Sequence, residues 1–432
     1  MMRSTTKYLV VLAGLAAAGI IPLAAQAQEQ LRPDKQTIDQ LLQRLAEAES
    51  RIKALESKLV PAAPAASQTL AAVPSAPAPD APADPETARM IAEAAAEMNH
   101  SGHGASGPVG GGLKIRGFSD FTYRASDQKA TTNSFTLGQF DLFMTSRLSD
   151  KWDFLAESVV QADQATNSFG FEIERLTITY HENDFFNVAM GRYHQKIGYY
   201  NTAYHHGSFF QTSVGRPFLF QFEDGGGILP IHNVGISAYG KVPSGKLGLN
   251  YVVEVGNGRT SHDPKAEYVQ NVLDENNRKS VNVALFARPE FLEGVEIGGS
   301  VLKDRLYPDS NSRMGQTISN AYIAYDRNGI EFLNEAILVS NRLTGTGTIH
   351  TPAFYSQVSK RYHALRPFAR YEYMNVNHND PIFGSIGRRS GPLFGVRWSV
   401  GEFSALKLQY DRTYQTGLGT TNGVTGQVSF AF

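Results

Sequence analysis

The sequence contains no cysteine, little net charge and no long apolar run beyond its first 27 residues. Without thiols the chain forms no disulfides or thiolate metal sites, and catalysis by cysteine is excluded. After residue 27 no uncharged apolar stretch approaches the roughly 20 residues that a membrane-spanning helix needs. The formal net charge of −1 gives no basis for binding a polyanion, so we expect no nucleic-acid partner. The 40 glycines, 19 tyrosines and 25 phenylalanines instead favour many short, aromatic-rich strands.

Residues 1–27 have the parts of a secretory signal peptide. Arg3 and Lys7 make the start basic, an apolar stretch follows from Tyr8 to Ala25, and Ala25-Gln26-Ala27 is a small-x-small cleavage site. The pattern predicts export and cleavage before Gln28.

Residues 28–60 carry apolar heptads with charged residues beside them. The repeat favours a parallel coiled coil, although a single amphipathic helix lying on a surface is the alternative. The a and d residues do not separate a dimer from a trimer. The a positions are Ile38, Leu45, Ile52 and Leu59, and the d positions are Leu41, Ala48 and Leu55.

The composition of residues 61–112 predicts a linker. The segment is Pro- and Ala-rich to about residue 85, which is typical of an extended, semi-rigid spacer. A short helix over 86–99 and a Gly-rich tether follow. The tether contains His100 and His103, which without further ligands nearby indicate a hinge more than a metal site.

Residues 113–432 predict an all-β architecture, a 16-stranded antiparallel transmembrane β-barrel. Short turns alternate with longer polar loops, the arrangement of bacterial barrels, and an even strand number puts both barrel ends on one side. A miscounted hairpin would give fourteen or eighteen strands. The predicted strands are 113–124, 135–148, 152–162, 170–181, 185–197, 233–241, 247–256, 280–290, 295–305, 317–326, 330–342, 352–362, 367–377, 390–400, 404–414 and 423–432.

The last strand alternates strictly and ends on an aromatic residue. Val424, Val428, Phe430 and Phe432 share one face. This terminal strand, the Met190-Gly191-Arg192-Tyr193 segment, the Arg370-Tyr371-Glu372 strand and the coiled-coil-plus-barrel order resemble Gram-negative outer-membrane porins. Among these, the phosphate-selective (polyphosphate-selective) porin group is the nearest resemblance.

The resemblance implies a location and partners. The barrel would lie in the outer membrane, among lipid and lipopolysaccharide, with the N-terminal region in the periplasm. A homotrimer would form through the barrel and the coiled coil, and the barrel-assembly machinery would read Phe430 and Phe432. The N-terminal region would be placed to bind peptidoglycan.

The third long connection, about 198–232, is aromatic and apolar, so we expect it to pack against protein. The resemblance implies that it folds into the barrel and narrows a pore. The predicted constriction residues are Arg192, His194, Lys196, His205, His206, Arg216, Glu223 and Asp224.

Strand alternation also predicts which side chains face the interior. Acidic and basic residues are balanced among them, which predicts selection mostly by size. The predicted lumen-lining residues are Arg116, Asp120, Asp141, Arg147, Glu157, Arg288, Arg370, Glu372, Arg397, Lys407 and Asp411.

These features favour a passive diffusion channel for small hydrophilic solutes or ions, without a catalytic site or cofactor. Alternatives are an anion- or phosphate-selective or metal-related channel, a barrel enzyme, and a peptidoglycan tether. The loop histidines could bind zinc or copper, or brace a polar constriction by hydrogen bonds. We assign no metal ligands from the sequence.

Overall fold

The structure is a computed structural model that describes residues 113–129, 131–163, 167–204, 207–223, 227–259, 273–309, 312–345 and 347–432. The predicted signal peptide, coiled coil and linker lie outside the described residues, as do His205, His206 and Asp224.

The described chain forms a closed antiparallel barrel of sixteen strands in which each strand pairs with its sequence neighbours and β1 pairs with β16. Closure satisfies the backbone groups of every strand and leaves no open sheet edge. The predicted fold class and strand count are confirmed. The strands are β1 (Lys114–Ser126), β2 (Ser134–Arg147), β3 (Trp152–Asp163), β4 (Ser168–Asn183), β5 (Phe186–His194), β6 (His232–Lys241), β7 (Leu249–Gly256), β8 (Ser280–Ala287), β9 (Val295–Asp309), β10 (Ser312–Arg327), β11 (Ile330–Leu343), β12 (Gly347–Lys360), β13 (Leu365–Asn375), β14 (Arg388–Ser399), β15 (Ser404–Gln415) and β16 (Gly419–Ala431).

One end of the barrel carries tight turns, as predicted. β10 and β11 are joined by Asn328 and Gly329, whose φ angles are 54° and 71°. Two left-handed residues in succession make the turn whose twist matches that of the flanking strands, and an Asn-Gly pair adopts it at low cost. The N-terminus of β1 and the C-terminus of β16 lie at this same end.

At the other end, some connections are shorter than predicted. We expected β15 to stop at 414 and β16 to begin at 423, but the strands continue to Gln415 and from Gly419. Thr413 pairs with Thr421 and Tyr414 with Thr420, so polar strand ends extend the sheet where a loop was predicted.

Helices in the described part are brief: α1 (Tyr200–Ala203) and single 3-10 turns at Phe218–Phe220 and Gly245–Leu247. Among the residues described, none of these helices is long and apolar enough to cross a membrane.

The two faces of the barrel wall differ in polarity. On β15, Leu406 and Leu408 are 36% and 57% exposed on the outside, whereas Lys407 and Gln409 are buried on the inside. Aromatic residues gather at the end with tight turns, where Trp152 contacts Tyr180 with ring centroids 5.0 Å apart. An apolar outer band bordered by amphipathic aromatic rings is typical of membrane barrels.

The inner face departs from the uniformly polar lining that we expected. Leu302, Ile318, Leu333 and Ile337, on β9, β10 and β11, are buried on the inside. They pack against the connection between β5 and β6, described below. Because these side chains are covered by protein, apolar residues are stable there.

Candidate functional site

The connection between β5 and β6, residues 195–231, turns into the barrel. We call it the inner loop. Near its start it contacts Glu335 of β11, which accepts hydrogen bonds from the backbone N–H groups of Tyr199 (2.7 Å) and Tyr200 (2.9 Å). Glu335 also accepts one from the Tyr355 hydroxyl at 2.6 Å. A buried carboxylate therefore fixes the start of α1 against the wall.

A second carboxylate on β11 holds the middle of the inner loop. Glu331 is 1% exposed and accepts hydrogen bonds from the Tyr204 hydroxyl (3.0 Å) and the Thr212 hydroxyl (3.1 Å). Gln357 donates to its other oxygen at 2.8 Å. Each carboxyl group accepts two hydrogen bonds from the inner loop, so Glu331 and Glu335 anchor the loop to β11.

Farther along, the inner loop contacts strands that are remote from β5 and β6 around the barrel. Arg370 Nη1 donates to Ser213 Oγ at 2.6 Å, and the backbone N–H of Val214 donates to Gln409 Oε1 at 2.9 Å. Lys407 donates to the backbone oxygen of Ser208. The inner loop therefore crosses the interior to β13 and β15.

Aromatic packing completes the docking. Tyr200 stacks on Phe220 with ring centroids 5.8 Å apart, and both contact Tyr355 of β12. Burial raises the pKa of Tyr200 to about 12, and it raises the pKa of Tyr204 as well. The docked inner loop thus favours neutral tyrosines.

Arg216 braces the inner loop from within. Its guanidinium donates to the backbone oxygens of Phe220 (2.5 Å) and Tyr204 (3.3 Å) and to Asn201 Oδ1 (3.0 Å). It also lies over the Phe222 ring, 4.3 Å from the centroid. Burial lowers the pKa of Arg216 to about 10, and the group stays charged at neutral pH.

Several of the predicted constriction residues are buried in protein. Arg192, His194, Lys196 and Glu223 are between 3% and 7% exposed. Lys196 donates to Thr202 Oγ1 at 3.0 Å and lies over the Phe286 ring, and burial lowers its pKa. These side chains lie where the ends of the inner loop meet the wall, so protein covers them.

Ten of the eleven predicted lumen-lining residues lie on inward-facing strand positions, and Arg288 directly follows the end of β8. Most of them have ionic or polar partners. Opposite charges adjoin there because a buried charge needs a partner. The contacts are Arg370 with Glu372 (2.7 Å), Glu157 with Arg175 (2.5 Å), Arg288 with Glu296 (2.8 Å), Asp411 with Arg124 (2.8 Å), Arg147 with Asp150 (3.9 Å), Asp120 with Gln427 (3.1 Å) and Arg397 with the Phe209 backbone oxygen (3.1 Å). Asp141 is 1% exposed, whereas Arg116 is partly exposed.

Sequence reasoning missed Glu174 and Arg175, two consecutive residues that are both buried. The register between β3 and β4 shifts there, because Arg175 pairs with Glu157 and Ile173 with Ser158, leaving Glu174 as an extra residue. Such a bulge directs both side chains inward. The sequence held a signal for it: the apolar positions Phe169, Phe171 and Ile173 are odd, and Leu176, Ile178 and Tyr180 are even.

His194 and His232 lie opposite each other at the base of the inner loop, on β5 and β6. Their ring centroids are 5.2 Å apart, and His232 Nε2 is 2.6 Å from Glu174 Oε2. Gly191, three residues before His194, has φ 129° and approaches β4 so closely that a Cβ atom would lie 2.0 Å from the Leu176 backbone oxygen. Only glycine allows this approach.

The barrel is similar to solved structures of outer-membrane proteins. An anion-selective porin from Comamonas acidovorans matches with a TM-score of 0.53 and 13% identity, over 74% of this chain and 99% of that one. Salmonella typhi OmpF matches with a TM-score of 0.52 and 11% identity, over 74% and 97%. The outer membrane channel DcaP of Acinetobacter baumannii matches with a TM-score of 0.50 and 10% identity, over the same shares.

At these identities the likeness shows a shared barrel fold. No protein-family model matches the sequence, and no curated protein matches it.

Proposed function

We propose that the protein is an outer-membrane channel through which small hydrophilic solutes or ions diffuse passively. The proposal rests on the inner loop, which leaves β5 and crosses to the far wall. There its Ser213 binds Arg370 of β13 and its Val214 binds Gln409 of β15. Sixteen strands enclose a space too wide for their own side chains to fill. A loop that crosses this space would set the narrowest point of a water-filled path.

In this proposal the buried and exposed residues of the inner loop have different tasks. The buried side chains of His194, Lys196 and Glu223 position the ends of the loop. The exposed Gly215 lies on the crossing segment, where it would meet passing solutes. The constriction would therefore be lined by residues 214–218 and by the facing wall.

The location and assembly follow from the same proposal. The apolar outer band supports insertion in the outer membrane, with the tight turns and the N-terminal region on the periplasmic side. A homotrimer, closed by barrel contacts and by the coiled coil of residues 28–60, fits the heptads and the fold. Chemical cross-linking of the protein in its native membrane tests this, with a trimer as the expected largest closed species.

A mild preference for anions is a second candidate property. Arg389 and Arg397 are partly exposed around the inner loop, whereas Glu331, Glu335 and Glu372 are each 1% exposed. Charges near water affect passing ions more than buried, paired ones. Arg389→Gln should therefore shift the reversal potential in a salt gradient toward cations. An unchanged potential would leave size as the sole basis of selection.

Planar-bilayer recording of the purified, folded protein tests the channel. We expect discrete current steps in KCl from the protein, and none from detergent buffer alone. A correctly folded barrel that gave no steps would contradict the proposal and would favour a barrel enzyme or a peptidoglycan tether.

A further inference from the structure

Three side chains that can bind metals meet at the base of the inner loop. Glu174 comes from the bulge of β4, His194 from the end of β5, and His232 from the start of β6. One ligand atom from each lies within 4.8 Å of the other two. His194 and His232 are directly opposite each other in the β5–β6 ladder, so the sheet itself sets their spacing.

We propose that Glu174, His194 and His232 form a binding site for a divalent cation of the zinc class. Two imidazoles and one carboxylate are ligands that zinc prefers, and they leave a fourth position for water or another oxygen. Tetrahedral coordination at about 2.0–2.2 Å separates ligand atoms by about 3.4 Å. The 2.6 Å distance between His232 Nε2 and Glu174 Oε2 is close enough for a cation to enter after small rotations of the side chains.

Glu223 orients His232 from the other side. Glu223 Oε2 lies 3.5 Å from His232 Nδ1, and Glu223 Oε1 accepts the backbone N–H of Ile231 at 2.7 Å. The His232 ring also stacks on Phe222 at 5.7 Å. A carboxylate on the second nitrogen of a histidine fixes the tautomer and the ring orientation that a metal needs.

The charges around His232 favour a cation. Its two ring nitrogens face two buried carboxylates, Glu174 and Glu223, which are 2% and 3% exposed. A single imidazolium supplies one positive charge between them, whereas a dication supplies two. Arg192, whose Nε donates to the Glu174 backbone oxygen at 3.1 Å, offsets part of this negative charge.

The site would link both ends of the inner loop to the barrel wall. His194 precedes the loop, His232 ends it, and Glu174 belongs to the neighbouring strand β4. Ligand binding to the docked state alone stabilises that state by mass action. Because Glu223 of the inner loop orients His232, a bound cation would favour the docked loop, whatever solute the channel carries.

The test uses the full mature chain in detergent, stripped with EDTA and then dialysed against zinc chloride. Metal analysis should give one zinc per chain, and Co²⁺ in place of zinc should give the visible absorption bands of a tetrahedral site. His232→Ala and Glu174→Gln should each weaken binding by more than about 100-fold, and Glu223→Gln by about 10–100-fold. Retained heat-modifiable mobility on gels shows that each variant is still a folded barrel.

Matched histidine variants decide which residues bind the metal. His350→Ala removes an exposed histidine that contacts Ser340 and should leave zinc binding unchanged. The pairs His205→Ala/His206→Ala and His100→Ala/His103→Ala should also leave it unchanged. Loss of zinc in either pair, or one zinc retained by His232→Ala, would overturn the assignment. An EDTA-stripped wild-type chain that binds no zinc would overturn it as well, because His232 would then only bridge the two carboxylates.

Discussion

At the residue scale, the inner loop depends on a small number of buried carboxylates. Glu335 binds two backbone N–H groups of the loop and one tyrosine hydroxyl, all within 2.9 Å. This role could not be predicted from the sequence, since Glu335 occupies an ordinary inward position of a strand. Only the fold shows that Tyr199 and Tyr200 meet it, because they lie more than 130 positions away along the chain.

Glu335→Ala should loosen the start of the inner loop. Removing this acceptor leaves the N–H groups of Tyr199 and Tyr200 without a partner, at a cost of about 1–3 kcal/mol. Hydrogen exchange at these two amides should accelerate accordingly, while exchange in β15 stays the same. Glu293→Ala, which removes an exposed partner of Arg327 at a tight turn, is the control. Equal protection in both variants would show that Glu335 does not anchor the loop.

The tyrosines of the inner loop give a pH prediction. Burial raises the pKa of Tyr200 to about 12, so the docked loop binds its proton more tightly than the undocked loop. The resulting stabilisation is complete below the ordinary tyrosine pKa of about 10. It is lost as the pH rises through about 12.

Spectrophotometric titration measures this effect directly. Tyr200→Phe should not change the absorbance curve of the native protein up to about pH 11, where Tyr200 is still neutral. In denaturant, the same variant should show one ionising tyrosine fewer near pH 10. A smaller native amplitude below pH 11 would mean that Tyr200 is already in water.

At the scale of elements, most of the strands and tight turns could be predicted from strand alternation and from the residues that favour turns. β11 was predicted at 330–342 and spans Ile330–Leu343, and the Asn-Gly pair before it makes the expected tight turn. The β4 bulge was missed because alternation was taken as unbroken. The strand ends at β15 and β16 were missed because polar residues extend a sheet as readily as they form a loop when a partner strand is beside them.

The sequence predicts which segment forms the candidate site, but not the side-chain contacts that the segment makes. Length and aromatic content singled out the inner loop correctly as a packed segment. Its contacts with Arg370 and Gln409 join residues that are far apart along the chain and meet only across the barrel. No local sequence pattern predicts such pairs. The burial of Lys196 and Glu223 has the same cause, since it depends on where the ends of the loop meet the barrel wall.

The closing strand pair gives a prediction for assembly. Phe432 exchanges two backbone hydrogen bonds with Gly117, of 2.8 and 2.9 Å, and its ring fills the space that a Cβ atom at Gly117 would enter. Its ring also stacks on Phe140 at 5.9 Å. Deleting Phe432 should lower the amount of heat-modifiable, folded protein in the outer-membrane fraction. Phe291→Ala, an exposed aromatic at the same end that takes no part in closure, should not. Equal insertion of the two variants would contradict the proposed role of the terminal aromatic.

At the scale of the whole molecule, the inner loop joins stability to transport. One of its faces covers the apolar side chains Leu333 and Ile337, and its crossing segment binds the wall on β13 and β15. Removing it would therefore do two things at once. It would widen the proposed path, and it would expose apolar surface to water at about 25 cal/mol per Å².

Shortening the inner loop between Ser208 and Gly226 should raise the single-channel conductance, because the segment that crosses the interior is lost. Adding Leu333→Thr and Ile337→Thr to the shortened chain makes the newly exposed wall polar, and this should restore thermal stability without lowering the conductance. The same two substitutions in the full-length chain are the control: they should weaken loop packing while the mean open conductance stays closer to that of the wild type. Ion selectivity should change only modestly on shortening, since charges across a wide aqueous path are screened over about 8–10 Å at physiological salt. A folded, shortened barrel with the wild-type conductance would mean that the crossing segment does not limit the flow of ions, and the constriction would then have to be sought elsewhere on the barrel wall.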